Sequence, residues 1–227
     1  MTKKKKVLDK GFVRLESSNA TDLSVVNSAR VSFNNYHKEM EQGDEHLISF
    51  LLKNRHGTPF EHNSFVWHVK APIFIAREWM RHRIGSFNEW SARYSELKRE
   101  FYIPSVEHIR TQEGKPGAYT FATLEESKAN QFRGDLMTSS ILCYKSYKTA
   151  LKQGVAKEQA RFFLPVNIYT EFYWTVNARS LMNFLSLRNH TTAMWEIAQY
   201  AQALEGIWKQ VMPITYRAFT LNERIAP

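Results

Sequence analysis

The chain has one cysteine in 227 residues, Cys143, so an internal disulfide and an all-cysteine metal site are both excluded. That cysteine stands in Ile141-Leu142-Cys143-Tyr144, where a buried helix position is expected. Nothing around it promises a lowered thiol pKa, so it is a poor candidate nucleophile. Glycine is sparse, nine residues, and neither G-x-G-x-x-G nor G-x-x-x-x-G-K-[ST] occurs, so no Rossmann dinucleotide site or P-loop is signalled. H-E-x-x-H, C-x-x-C and G-x-S-x-G are missing too. No uninterrupted apolar run is long enough to cross a bilayer. The start, Met1-Thr2-Lys3-Lys4-Lys5-Lys6, lacks the apolar segment of a secretory signal and reads as a frayed, solvated terminus. A cytoplasmic protein with no membrane partner is expected. Acidic residues are outnumbered, 22 against 31 Lys and Arg, and the net charge of +9 points to anionic partners.

What is present suits a single domain over residues 1–227, with 43% apolar and 14% aromatic residues to build a core. Helices are expected from Asp22 to Val31, with Thr21 or Asp22 at the N-cap, and from Glu45 to Asn54 behind an Asp44 cap. Ser64–Lys70 and Ile168–Val176 are rich in aromatic and β-branched residues and read as strands. Pro72 suits the first turn of a helix carrying Ile75, Trp79 and His82 on one face, where Glu78 and His82, four apart, can pair. Residues 111–123, with Gly114, Pro116 and Gly117, read as a flexible insertion. Long helical patterns follow over Leu124–Gln153, Lys157–Phe163, Asn177–Arg188 and Thr192–Met212. The fold class is α+β, helices packed on a small, mostly antiparallel sheet.

The informative stretch is Arg81-His82-Arg83-Ile84-Gly85-Ser86-Phe87-Asn88-Glu89-Trp90-Ser91-Ala92-Arg93-Tyr94. Three arginines, a histidine and a glutamate follow directly on an apolar run, Ala71-Pro72-Ile73-Phe74-Ile75-Ala76. Arginine forks match phosphate and carboxylate oxygens in pairs, at roughly 1.5–3 kcal/mol per charge-assisted bond. A solvated basic face is the plainer alternative, but charges at the end of a core element are where a site belongs. A second stretch is the helix from Asn177 to Arg188. At 100° per residue Arg188 extends the stripe of Leu181 and Phe184, so it requires an anionic or polar partner, whether a ligand or a buried ion pair. Arg179 and Asn183 share the opposite side. His56, His62 and His68 are evenly spaced but lack a supporting carboxylate pattern, so no metal is expected.

R-H-R-x-x-S-x-N-E-x-S-x-R-Y resembles the signature of the flavin-dependent thymidylate synthases. The resemblance implies reductive methylation of dUMP to dTMP. It implies FAD held without a Rossmann fold, 5,10-methylenetetrahydrofolate as one-carbon donor, NADPH as reductant, and a homotetramer with shared active sites. It assigns His56, Thr58, Arg81, His82, Arg83, Glu89, Asn177, Ala178, Arg179 and Asn183 to the flavin. It assigns Glu78, Trp79, Met80, Arg81, Glu89, Trp90, Ser91, Ala92, Arg93, Arg161 and Arg188 to the nucleotide, with Arg188 promoting loss of the uracil N3 proton. Nucleic acid is then unnecessary as the anionic partner. The family commonly has glutamine at the position of Glu78, and a carboxylate beside a nucleotide phosphate repels it unless Arg77, Arg81 or His82 neutralises it. Two rival readings are a nucleic-acid-binding module and an NADPH-oxidising flavoprotein without methyl transfer.

Overall fold

A computed structural model describes residues 3–227; Met1 and Thr2, the head of the lysine-rich start, lie outside the described residues. In chain order the elements are β1 (Lys3–Val7), β2 (Gly11–Ser18), α1 (Asp22–Arg30), α2 (Asp44–Lys53), α3 (Thr58–Glu61), β3 (Ser64–Pro72), α4 (Ile73–Trp79) and β4 (Ser86–Glu89). There follow β5 (Arg110–Glu113), β6 (Thr120–Thr123), α5 (Glu126–Lys152), α6 (Lys157–Ala160), β7 (Tyr169–Asn177), α7 (Ala178–Arg188), α8 (Trp195–Trp208) and α9 (Pro213–Leu221). The class is α+β, as the sequence indicates. The chain forms two compact units: one comprises the chain up to Ala71, Ile75–Glu89 and Glu171–Pro227, the other Pro72–Phe74 and Trp90–Thr170.

The first unit carries most of a five-stranded sheet in the order β1-β2-β3-β7-β4, antiparallel at β1–β2, β2–β3 and β4–β7. The lysine run is not a frayed terminus. Lys3 to Val7 pair with Leu15 to Gly11 as an edge strand, whose lysines discourage pairing with a further chain. Lys4 places its ammonium 4.0 Å from the centroid of the Phe12 ring. Four consecutive charges hide the alternation by which a strand is recognised, so β1 escapes a sequence reading; β2, whose Val13 and Leu15 alternate with Arg14 and Glu16, is missed without that excuse.

Of the caps expected for the first two helices, Thr21 holds and Asp44 does not. Thr21 caps α1, accepting the Ser24 N–H at 2.9 Å. Asp22 instead accepts the backbone N–H groups of Ile214 and Thr215 at 3.0 and 2.8 Å and the Thr215 hydroxyl at 2.6 Å, closing the start of α9. Helix α9 is unforeseen because Pro213 reads as a stop, although proline at a first turn is compatible with a helix. Replacing Asp22 with alanine orphans these donors and should cost about 2 kcal/mol, read as a lowered urea midpoint.

Asp44 is not the cap of α2 either, since Gly43, with φ 94°, precedes the helix. Asp44 is buried, accepting from Arg30 Nη2 at 2.7 Å and the Glu41 N–H at 2.8 Å, with His37 Nδ1 at 2.9 Å. Burial alone would raise its carboxyl pKa; the Glu41 amide, His37 and Arg30 outweigh burial and hold it below the usual range.

An aromatic cluster forms the core of this unit. Trp79 is fully buried, with ring centroids of Phe184, Trp174, Phe172 and Tyr200 at 4.7, 5.3, 5.4 and 5.9 Å. The second unit has its own core, where Ala92, Leu97, Phe101 and Ile168 pack with Ile73, Trp90, Tyr144 and Leu164. Buried Asn167 donates to Tyr102 O and Ser140 Oγ, both at 3.0 Å. The stretch read as an insertion is built as the β5–β6 hairpin, with Gly114 and Gly117 at φ 99° and 87°. Cys143 is half-buried on α5, not a core residue.

Candidate functional site

Beyond α4 the chain turns tightly. The N–H of Met80 bonds Ala76 O at 2.9 Å, that of Arg81 bonds Glu78 O at 3.3 Å, and that of His82 bonds Trp79 O at 3.0 Å. Trp79 anchors this turn from below, so Trp79 can present only backbone to a ligand. The His82 ring sits edge-on to Phe184 at 4.8 Å, which ties it to the same aromatic core.

Glu78 and His82 do not pair with each other. Both meet Arg188, in the last turn of α7: its Nε–H donates to His82 Nε2 at 2.9 Å and its Nη1–H donates to Glu78 Oε1. Of the two partners that the helix spacing left open, an ion pair is therefore present, though half-buried and not sealed from solvent. A guanidinium only donates, so the accepting Nε2 is unprotonated and the His82 proton resides on Nδ1. Burial first, and the Arg188 charge second, push the His82 pKa down from 6.5 to about 4. Below pH 6.5 the unfolded chain takes up a proton that the folded one refuses until about pH 4, so stability is lost as pH falls through that window. His82→Gln should show a smaller fall in melting temperature between pH 7 and pH 5 than the parent.

Around Arg188 opens a pocket of about 520 Å³, lined by Arg81, His82, Arg83, Arg179, Asn183 and Arg188, together with Glu61, Ile84, Ser180, Leu187, Ala226 and Pro227. Four arginines against one glutamate give it a positively charged lining, chemistry that suits an anion. Arg81 and Arg83 are exposed and make no ion pair among the described residues. Gly85, next to them, lies so close to Trp174 that an added Cβ would stand 2.8 Å from its indole nitrogen.

The opposite wall is the start of α7. Asn177 caps it as expected, its Oδ1 accepting the Ser180 N–H at 2.8 Å. Ala178 is buried and its N–H bonds Asn63 O at 2.7 Å. Arg179 donates from Nε to Pro227 O at 2.9 Å and from Nη1 to Glu61. Its guanidinium covers Gly57 so closely that a Cβ there would lie 2.5 Å from Nε. His56 and Thr58, both exposed, flank Gly57 in the chain, but neither lines the pocket. Glu89 ends β4, opposite Phe172 of β7.

The remaining residues singled out in the sequence belong to the second unit. Trp90 donates from Nε1 to Ser95 Oγ, and Ser91 Oγ accepts from the Arg93 backbone at 3.3 Å and from its Nε at 3.4 Å. Arg93 lies over the Tyr94 ring at 4.9 Å, and Ala92 is buried. Arg161 is exposed, its Nε donating to Glu158 O at 3.1 Å.

Sequence reasoning missed Gly57, Glu61, Leu187 and the 226–227 segment. They have no motif: Glu61 and Pro227 join the pocket wall through Arg179, Leu187 and Ala226 line it beside them, and Gly57 lies under Arg179 without lining the pocket. His68, evenly spaced with His56 and His62, is instead held between Arg14 and Glu171, each at 2.9 Å. Among the described residues no helix is long and apolar enough to cross a membrane.

Residues 14–214 match the family model described as thymidylate synthase complementing protein. The chain is 52% identical over 217 residues to a flavin-dependent thymidylate synthase of Thermosipho africanus, covering 94% of this chain and 92% of that one. It is 44% identical over 213 residues to the Thermus thermophilus enzyme of the same name, covering 94% of this chain and 77% of the relative. Among solved structures, a UMP/dUMP methylase, PolB, from Streptomyces cacaoi bound with 5-Br dUMP superimposes with a TM-score of 0.89. The two are 40% identical, over 98% of this chain and 100% of the other.

Proposed function

The chain belongs to the flavin-dependent thymidylate synthases, and on that footing we propose how its own residues carry out the methylation of dUMP to dTMP. The reading rests above all on one observation: Arg81, Arg83, Arg179 and Arg188 converge with His82 on one pocket. The donor set fits a flavin dinucleotide. Cationic forks suit the paired oxygens of a pyrophosphate, Asn183 adds an amide, and the lack of a side chain at Gly57 lets Arg179 approach the backbone there.

In this assignment FAD is held by His56, Thr58, Arg81, His82, Arg83, Asn177, Ala178, Arg179 and Asn183, with Glu89 touching both ligands. When bound, it supplies the reducing equivalents that complete the methyl group. The nucleotide is held by Met80, Arg81, Glu89, Trp90, Ser91, Ala92, Arg93 and Arg161, with Glu78 and Trp79 contributing backbone only, because the Glu78 carboxylate is taken by Arg188, and Ser91 a hydrogen bond to phosphate or ribose. 5,10-Methylenetetrahydrofolate is the one-carbon donor and NADPH the reductant, both anions that suit the basic pocket.

Arg188 is the catalytic residue. Uracil C5 must become nucleophilic, and a guanidinium that stabilises negative charge on N3, O2 or O4 raises electron density there without a thiol adding to C6. Because the Arg188 side chain is only 23% exposed, its charge acts through a medium less screening than bulk water. Arg81 and Arg83, exposed and without an ion pair among the described residues, suit a site completed by further copies of the chain, and we assign the enzyme to a homotetramer with four shared sites in the cytoplasm.

The test is direct: purified protein should be yellow and should convert dUMP to dTMP when given 5,10-methylenetetrahydrofolate and NADPH. A colourless protein, or one that consumes NADPH and yields no dTMP, contradicts the reading.

A further inference from the structure

Glu78 occupies a position where a nucleotide contact is expected, yet its carboxylate is spent inside the protein. We propose that Glu78 is a positioning residue for Arg188: with His82 it clamps the guanidinium by two edges and aims the remaining donors at the pyrimidine. The proposal rests on the reading of Arg188 as the group that acts on the ring.

The geometry supports this in three ways. First, the two contacts fix direction as well as distance. Nε is bound to His82 Nε2 at 2.9 Å and Nη1 to Glu78 Oε1, so rotation about the last side-chain bonds would break one or the other. Two of the five guanidinium N–H groups are committed and three remain for a ligand.

Second, both clamping side chains come from one rigid turn. They stand on either side of Trp79, which the aromatic core immobilises, and His82 is further held by Phe184. Third, the pair is neither a surface contact nor sealed off. The side chains of Arg188 and Glu78 are 23% and 26% exposed, so the bond is shielded enough to hold the arginine and open enough for a ligand to reach it. Of the two clamps only Glu78 carries charge, because His82 accepts a hydrogen bond as a neutral ring. The carboxylate therefore also balances the arginine while no nucleotide is bound.

A residue that acts through Arg188 affects turnover more than nucleotide binding, and what it supplies is an acceptor in the right place. Glu78→Leu should lower kcat by about tenfold to a hundredfold, the scale of a misplaced catalytic group, with the dUMP dissociation constant within about threefold and the flavin spectrum retained. Glu78→Gln keeps the oxygen that accepts from Nη1 and should recover kcat to within about threefold of the parent.

If both variants instead weaken dUMP binding and keep kcat, Glu78 is a substrate contact and the proposal fails. It fails equally if Glu78→Leu leaves both constants alone, or if Glu78→Gln loses as much kcat as Glu78→Leu. Should Glu78→Leu not bind flavin, Glu78→Met, which also lacks the accepting oxygen, is read in its place against the same outcomes. Arg188→Ala keeps the two ideas apart: a fully active Arg188→Ala overturns the role of Arg188, whereas an inactive one beside an active Glu78→Leu overturns only the role of Glu78.

Discussion

Arg188→Ala is expected to lower kcat by roughly 10²–10³-fold or more, the range found when one preorganised donor is removed from a developing anion. The loss should fall on the chemical step. Flavin is assigned to other arginines, so the variant should stay yellow, and the dUMP dissociation constant should rise far less than kcat falls. Some instability accompanies the change, because Glu78 loses its counter-ion in a half-buried setting. Combining Arg188→Ala with Glu78→Gln removes the stranded carboxylate and should restore the melting temperature without restoring turnover. Arg188→Lys should not rescue activity: an ammonium is a point charge and cannot meet His82, Glu78 and a pyrimidine edge together. Steady-state kinetics with dUMP, beside a thermal melt followed by flavin fluorescence, separates these effects.

Trp79→Ala should cost about 3–5 kcal/mol of folding stability, the range for truncating a large aromatic in a packed core. The indole has aromatic neighbours on four sides and no solvent contact, so the void left behind cannot be filled by a small shift of one of them. Activity should fall as well, because the turn carrying Glu78 and His82 loses its anchor and Phe184 loses its support beneath the His82 ring. Trp79→Phe should be far milder, since it keeps much of the ring volume and deletes an indole N–H with no hydrogen-bond partner in the protein. Denaturant midpoints of the three proteins give the first effect. The ratio of kcat to flavin-bound protein gives the second.

Where local chemistry decides structure, the sequence was sufficient. Thr21 and Asn177 are helix caps because short polar side chains reach an N–H three residues on. The strands around Trp67 and Trp174 are legible from their aromatic and β-branched content. The site was legible chiefly through its arginines: their density from Arg81 to Arg93, and the awkward placing of Arg188 beside Leu181 and Phe184, both call for an anion or a counter-ion.

Long-range partnership was not legible. Asp22 and Asp44 look like local caps, but the Asp22 carboxylate is taken by Thr215, 193 positions away, and that of Asp44 by Arg30 and His37, which lie before it in the chain and outside its helix. Glu78 and His82 have the spacing of a helical pair, yet a guanidinium 106 positions beyond His82 comes between their roles. Strand β1 is invisible because its lysines carry no alternation, which leaves β2 without a recognisable partner, and α9 is hidden behind a proline that begins a helix as readily as it ends one.

The most direct measurement is the protonation state of the bound pyrimidine. With dUMP labelled with ¹⁵N at N3 and saturating the flavin-loaded protein near neutral pH, the account predicts that the N3–H signal seen for free dUMP disappears and the nitrogen shifts towards the anionic form. In Arg188→Ala the proton should stay on N3. A nucleotide bound in the parent with N3 fully protonated, or one whose N3 behaves identically with and without Arg188, would contradict the claim that this arginine makes the ring reactive.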